Sequence, residues 1–110
     1  MINKSFLEIE GKQIVRVTFT LPNGPWSERT HLVGDFNEWD RSSHPFLPDY
    51  PGQQSLTLDL DVGRAYQFRY LRNGEEWMND SQADAYVYNR NGTYNFVVIT
   101  DPSFKRYEGS

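Results

Sequence analysis

Hydrophobic alternation with a period of two runs through most of this 110-residue chain, and no other feature limits its folds as strongly. Over residues 12–21, Val15, Val17, Phe19 and Leu21 fall on one parity, and Ile14, Arg16, Thr18 and Thr20 on the other. Successive side chains of an extended backbone point to opposite sides, so this spacing describes a strand with one apolar and one mostly polar face. The pattern recurs where Leu56, Leu58 and Leu60 alternate with Thr57, Asp59 and Asp61, and where Tyr66, Phe68 and Tyr70 alternate with Gln67 and Arg69. Near the end, Tyr94, Phe96 and Val98 alternate with Thr93, Asn95 and Val97. No segment carries a long apolar repeat of 3.6 residues. Asn-Gly occurs at Asn23-Gly24, Asn73-Gly74 and Asn91-Gly92, and each pair predicts a hairpin, because both central positions of a type I′ turn need φ > 0. Short strands separated by such turns predict an all-β fold: an immunoglobulin-like antiparallel β-sandwich, with a small barrel as the competing architecture.

A chain of this length buries roughly two thirds of its unfolded surface, enough for one core and too little for two. Residues 1–110 are therefore expected to form a single domain. Residues 41–54, with Pro45, Pro48 and Pro51, are the longest irregular stretch and cannot be a central strand. The polar tail, 105–110, is expected to fray. Cysteine is absent, which removes disulfides, thiolate nucleophiles and Cys-ligated metals. With 11 basic and 15 acidic residues the net charge is −4, which argues against nucleic acid as a partner. Charge interrupts Phe6-Leu7-Glu8-Ile9-Glu10 before a signal peptide could form, and no run approaches the ~20 apolar residues of a membrane span. A soluble, cytoplasmic protein without a membrane partner is the expectation.

Little in the sequence points to catalysis. Glycoside hydrolysis needs two carboxylates across a cleft, and the acids Asp35, Asp40, Glu75 and Glu76 all lie in or beside turns, where solvated side chains are expected. His31 and His44 lack metal-ligand spacing, and no serine sits in a nucleophile elbow. Three Asn-X-Ser/Thr sequons, at Asn3, Asn79 and Asn91, carry no weight without a secretion signal. The expectation is a non-enzyme without metal or cofactor.

The aromatic residues say more. Most of the seven Phe and seven Tyr fall on the apolar parity of strands and belong to the core. The three tryptophans do not: Trp26 follows Gly24-Pro25, Trp39 lies between Glu38 and Asp40, and Trp77 follows Glu75-Glu76. Taken singly, each is read as a cap on one end of the core. Taken with Arg69, Thr93 and Asn95 on the solvent-facing parity of their strands, and Asn91 in a turn, they suit a sugar. A pyranose packs its aliphatic hydrogens flat on an indole, and its equatorial hydroxyls suit planar, bidentate polar partners such as Arg, Asn and Gln.

Gly34-Asp35-Phe36-Asn37-Glu38-Trp39, then His44-Pro45-Phe46, Leu58-Asp59-Leu60, Gly63, "YQFRYLRNGEEW" and "NGTYNFVV" together resemble the glycogen-binding carbohydrate-binding module family 48 over residues 14–99. Members are early-set immunoglobulin-like sandwiches, found in branching and debranching amylases and in the beta subunits of AMP-activated protein kinase. The resemblance implies a non-catalytic module that binds glycogen, starch or maltooligosaccharides. It implies stacking roles for Trp39 and Trp77, puts Arg69 where the kinase-type members carry a sugar-bonding lysine, and matches Thr93 and Asn95 to polar contacts of the last hairpin. Asn91 departs from the pattern, standing where those members insert a leucine into a curved glucan. The rival reading is a protein-interaction or spacer module that docks a catalytic glycoside hydrolase or kinase partner, since exposed Trp and Arg also make interface hot spots.

Overall fold

The alternating segments form two separate antiparallel sheets in the computed structural model, which describes residues 2–22, 29–49, 52–78 and 82–104. Among the described residues the strands are β1 (Ile2–Ile9), β2 (Lys12–Pro22), β3 (Thr30–Gly34), β4 (Leu47–Pro48), β5 (Gln53–Asp61), β6 (Ala65–Arg72), β7 (Glu76–Met78), β8 (Ala85–Tyr88) and β9 (Tyr94–Ile99). One sheet has the order β1-β2-β5-β4, the other β3-β6-β9-β8, with β7 beside the second half of β6. The architecture is a sandwich, as expected, and not the barrel. No helix among the described residues is long and apolar enough to cross a membrane.

Register aligns the apolar parities. Val15 opposes Leu60, Val17 opposes Leu58 and Phe19 opposes Leu56 in the first sheet; Leu32 opposes Tyr70 and Phe68 opposes Phe96 in the second. These inward faces meet in a core where Phe19 lies 5.3 Å from Phe68, and Phe68 lies 5.5 Å from Tyr70 and 5.7 Å from Phe96, all edge to face. Each such pair contributes about 0.5–1.5 kcal/mol beyond the burial of its area. Lys4 also points inward from β1 and reaches Asp84 at 2.6 Å, tying the sheets together at the β8 side.

Several expectations need correcting. β1 is a full strand that the sequence reading missed, joined to β2 by a Glu10-Gly11 turn with both φ positive. Asn73-Gly74 forms its expected turn, with φ of 53° and 71° and a hydrogen bond from the Glu75 amide to the Arg72 carbonyl. Asn91-Gly92 does not: only Gly92 has positive φ, and the connection is a five-residue loop between β8 and β9. Tyr94 shares the apolar parity of Phe96 and Val98 yet is 54% exposed, Tyr88 and Tyr86 are exposed at 65% and 46%, and Val97 on the opposite parity is buried. Residues 41–54 include a short edge strand, β4, compatible with Pro48, and contrary to expectation their last two residues, Gln53 and Gln54, open β5, which pairs with both β2 and β4. Asn23-Gly24, Trp26, the sequon at Asn79, Pro51 and the tail 105–110 lie outside the described residues.

Candidate functional site

The outward face of the β3-β6-β9 sheet gathers most of the singled-out residues, because β6 turns Gln67, Arg69 and Leu71 away from the core. Arg69 opposes Val33, Leu71 opposes both His31 and Trp77, and Gln67 opposes Val97. Val33 and Leu71 are each 1% exposed although they sit on the outward parity, so this part of the face is covered. Trp77, half-buried, stands opposite Leu71 because the Asn73-Gly74 turn folds β7 back along β6. The Arg69 guanidinium lies 4.8 Å from the centre of the Trp77 ring. Its Nε is buried and meets no hydrogen-bond partner among the described residues, and burial lowers the guanidinium's pKa from its ordinary value, which still leaves it charged at neutral pH.

A groove of about 670 Å³ brings Arg69, Trp77, Asn91 and Thr93 together, along with Glu75, Glu76 and Tyr94. Glu76 is held across the turn by a bidentate pair with Arg72, at 2.6 and 3.2 Å. Asn89 organises the other side. Its Oδ1 accepts the backbone N–H groups of Asn91 at 2.9 Å and Thr93 at 3.2 Å, and its Nδ2 donates to Asn95 Oδ1 at 3.0 Å. Asn95 in turn donates to Gln67 Oε1 at 3.0 Å. Asn95 is half-buried, with its amide oxygen and nitrogen both engaged, and it supports the loop that carries Asn91 and Thr93.

Trp39 does not line this groove. It follows a single 3₁₀ turn, Asp35–Asn37, and both Glu38 and Trp39 adopt left-handed backbone, with φ of 56° and 60°. That conformation is uncommon for such side chains and persists where neighbours over-determine it. Asn37 supplies the constraint: its Oδ1 accepts the Gly34 N–H at 3.0 Å and its Nδ2 donates to the Leu32 carbonyl at 2.9 Å. The Trp39 amide closes the turn on the Gly34 carbonyl at 2.9 Å. The indole N–H donates to Asp35 Oδ1 at 3.0 Å, and Asp35 Oδ2 accepts the Gln67 backbone N–H at 2.7 Å. Asp35 is exposed, as expected of a solvated acid, and also serves as a structural pin between the turn and β6. Two residues past Trp39, Arg41 reaches across to Trp77, with its guanidinium carbon 5.5 Å from the ring centre.

The hydrogen bonds thus run from Trp39 through Asp35, Gln67 and Asn95 to Asn89 and the loop of Asn91 and Thr93. Sequence reasoning missed Arg41, Gln67, Asn89 and Tyr94. Asn89, opening the Asn-Arg-Asn-Gly-Thr loop, had a readable signal, since asparagine favours turns through side-chain bonds to backbone two residues on. Neither histidine belongs to a group able to hold a metal among the described residues.

No family model matches the chain. It is 32% identical over 83 residues to the 1,4-alpha-glucan branching enzyme GlgB of Aquifex aeolicus (strain VF5), a match that takes in 73% of this chain and 12% of that enzyme. The chain therefore spans only a small part of the length of the curated relative it matches.

Proposed function

We propose that this domain is a non-catalytic α-glucan-binding module of the carbohydrate-binding module family 48 type, contacting glycogen, starch-like chains or maltooligosaccharides. The groove that unites Arg69, Trp77, Asn91 and Thr93 carries the reading: an indole beside polar side chains is what a pyranose, apolar on its face and hydroxylated at its edge, requires. Trp39 supplies a second ring on the neighbouring turn, and Asn95 holds the hairpin in place. Similarity to part of an enzyme that acts on 1,4-α-glucan supports the same ligand class, and the 12% share of that enzyme supports a non-catalytic role. The carboxylates agree, since Asp35 is committed to Trp39 and Gln67, and Glu76 to Arg72.

An open surface of this kind gives a dissociation constant of roughly 10 μM to 1 mM, about 4–7 kcal/mol. Electrophoresis in a gel containing glycogen tests the reading: the protein is expected to be retarded, and soluble maltoheptaose to release it. Unchanged mobility, with no heat on titration of maltoheptaose, overturns it. A second reading, a module that docks a catalytic glycoside hydrolase or kinase partner, is favoured by one observation: two guanidinium groups already lie against the Trp77 ring, as they do in protein interfaces. Co-purification with a partner that glucan cannot displace would support it.

A further inference from the structure

Two positive charges that meet no carboxylate among the described residues converge on one indole at the edge of the groove. Arg16 pairs with Asp59, and Arg72 with Glu76, as expected in a chain with 15 acids to 11 bases. Arg41 and Arg69 instead share the Trp77 ring, at 5.5 and 4.8 Å from its centre, and neither meets a carboxylate among the described residues. The Arg69 Nε is buried and meets no acceptor among the described residues, so a ligand reaches this side chain through its terminal guanidinium nitrogens. From those two distances the guanidinium carbons stand no more than about 10 Å apart. A tetrahedral oxyanion shared by two guanidiniums takes charge-assisted bonds of about 2.7–2.9 Å from each, so both side chains must close on it together.

We propose that Arg41 and Arg69 together bind a phosphate monoester carried by the glucan, so that the domain prefers a phosphorylated α-glucan to a neutral one. The inference rests on the glucan-binding reading above. A neutral hydroxyl would satisfy one guanidinium nitrogen, whereas a phosphate supplies several acceptors and also relieves the repulsion between the two cations. Planar, forked donors are suited to this geometry in a way that lysine is not. Glu75 and Glu76 oppose an anion deep in the groove, but Glu76 is neutralised by Arg72, and Arg41 stands on the turn after Trp39, outside the groove lining that holds Glu75. The phosphate therefore sits between the Trp39 turn and Trp77, with the sugar chain continuing toward Thr93.

Calorimetric titration tests this with three ligands: maltoheptaose, a maltodextrin of matched length carrying one 6-phosphate, and glucose 6-phosphate. At low salt the phosphorylated chain is expected to bind roughly five- to twentyfold tighter than maltoheptaose. That ratio should shrink as salt is raised and approach one in Arg41→Gln and in Arg69→Gln. A neutral chain that binds while the phosphorylated one binds no better overturns the inference and leaves the glucan reading standing. Glucose 6-phosphate binding as tightly as the phosphorylated chain overturns it in favour of a free sugar phosphate. If neither chain binds, both readings fall. Arg41 is exposed, so a folded Arg41→Gln variant with an undiminished ratio also overturns the proposal.

Discussion

Asp35 accepts the indole N–H of Trp39 with one carboxylate oxygen and the backbone N–H of Gln67 with the other, so a single side chain fixes an aromatic ring to the middle of a sheet. Both partners are donors. Asp35→Asn keeps one acceptor and turns an amide NH₂ toward the remaining donor, which costs about 1–3 kcal/mol as a lost bond to a charged group. The expected result is a lower urea midpoint and weaker glucan binding, with wild-type binding restored by no other polar residue except Glu in part. Full affinity and stability in Asp35→Asn would mean that Asn37 alone holds the turn.

The two tryptophans separate by position. Both are half-buried, so Trp39→Ala and Trp77→Ala are each expected to lose about 1–2 kcal/mol of stability by partial loss of buried area. Both should lower glucan affinity at least tenfold, while Trp77→Phe, which keeps a ring for stacking, should lose less. A stability loss above about 4 kcal/mol with binding intact would assign the residue to the core.

Gly34 sits where no other residue fits. Its φ of −177° is extended and open to any residue, so the constraint is space alone. A Cβ there would meet the Cβ of Phe68 at 2.8 Å and its Cα at 2.9 Å, and would press on the Gln67 carbonyl oxygen. Gly34→Ala is expected to cost about 1–3 kcal/mol by overpacking, read as a shift in the urea midpoint. Wild-type stability in this variant would show that β3 can move away from β6 without loss.

Much of the fold was legible because β2 and β5 keep their apolar residues on one parity and mostly polar ones on the other, and because β6 and β9 carry their aromatic core residues on one parity, which a period of two reveals directly. β1 was not, because its inward set includes Lys4, whose charge is met by Asp84 from the far side of the sandwich, a pairing 80 residues apart in sequence. Tyr94 has the apolar parity of β9 but is exposed at the strand's first position, and parity alone says nothing of how far along a strand burial extends. At the site, Arg69, Trp77, Asn91 and Thr93 could be brought together from strand parity and the resemblance, but Arg41 could not: it is an exposed arginine in a turn whose direction depends on left-handed backbone at Glu38 and Trp39.

Acid should weaken the fold through particular carboxyls. Hydrogen bonds from Ser42 to Asp40, the Arg16 pair with Asp59, and hydrogen bonds from Ser103 to Asp101 each hold a carboxyl below its usual range. The native state then binds these protons more weakly than the unfolded chain, so the stabilisation is complete above the ordinary carboxyl pKa of about 3.9 and is lost as pH falls through the lowered native values. The thermal midpoint is expected to fall below about pH 4, and Asp59→Asn to flatten part of that fall. An Asp59→Asn profile parallel to wild type would remove this pair from the account.

The last expectation concerns the shape of the glucan. In the kinase-type members that the sequence resembles, an apolar residue fills the hollow of a curved chain, and Asn91 stands in its place. Asn91 is exposed and borders the groove, and it can offer a hydrogen bond of about 0.5–1.5 kcal/mol net but no apolar contact. Linear and cyclic maltoheptaose are therefore expected to bind with similar strength. Asn91→Leu should raise affinity for the cyclic sugar selectively. The loop can accept leucine, because the left-handed backbone falls on Gly92 and not on Asn91, and the bond from Asn89 Oδ1 goes to the Asn91 backbone N–H, which leucine retains. Calorimetric titration of both sugars against wild type and Asn91→Leu decides the matter. A marked cyclic preference already present in the wild type would mean that another side chain fills the hollow, with Tyr94, exposed and also bordering the groove, the first to replace with alanine.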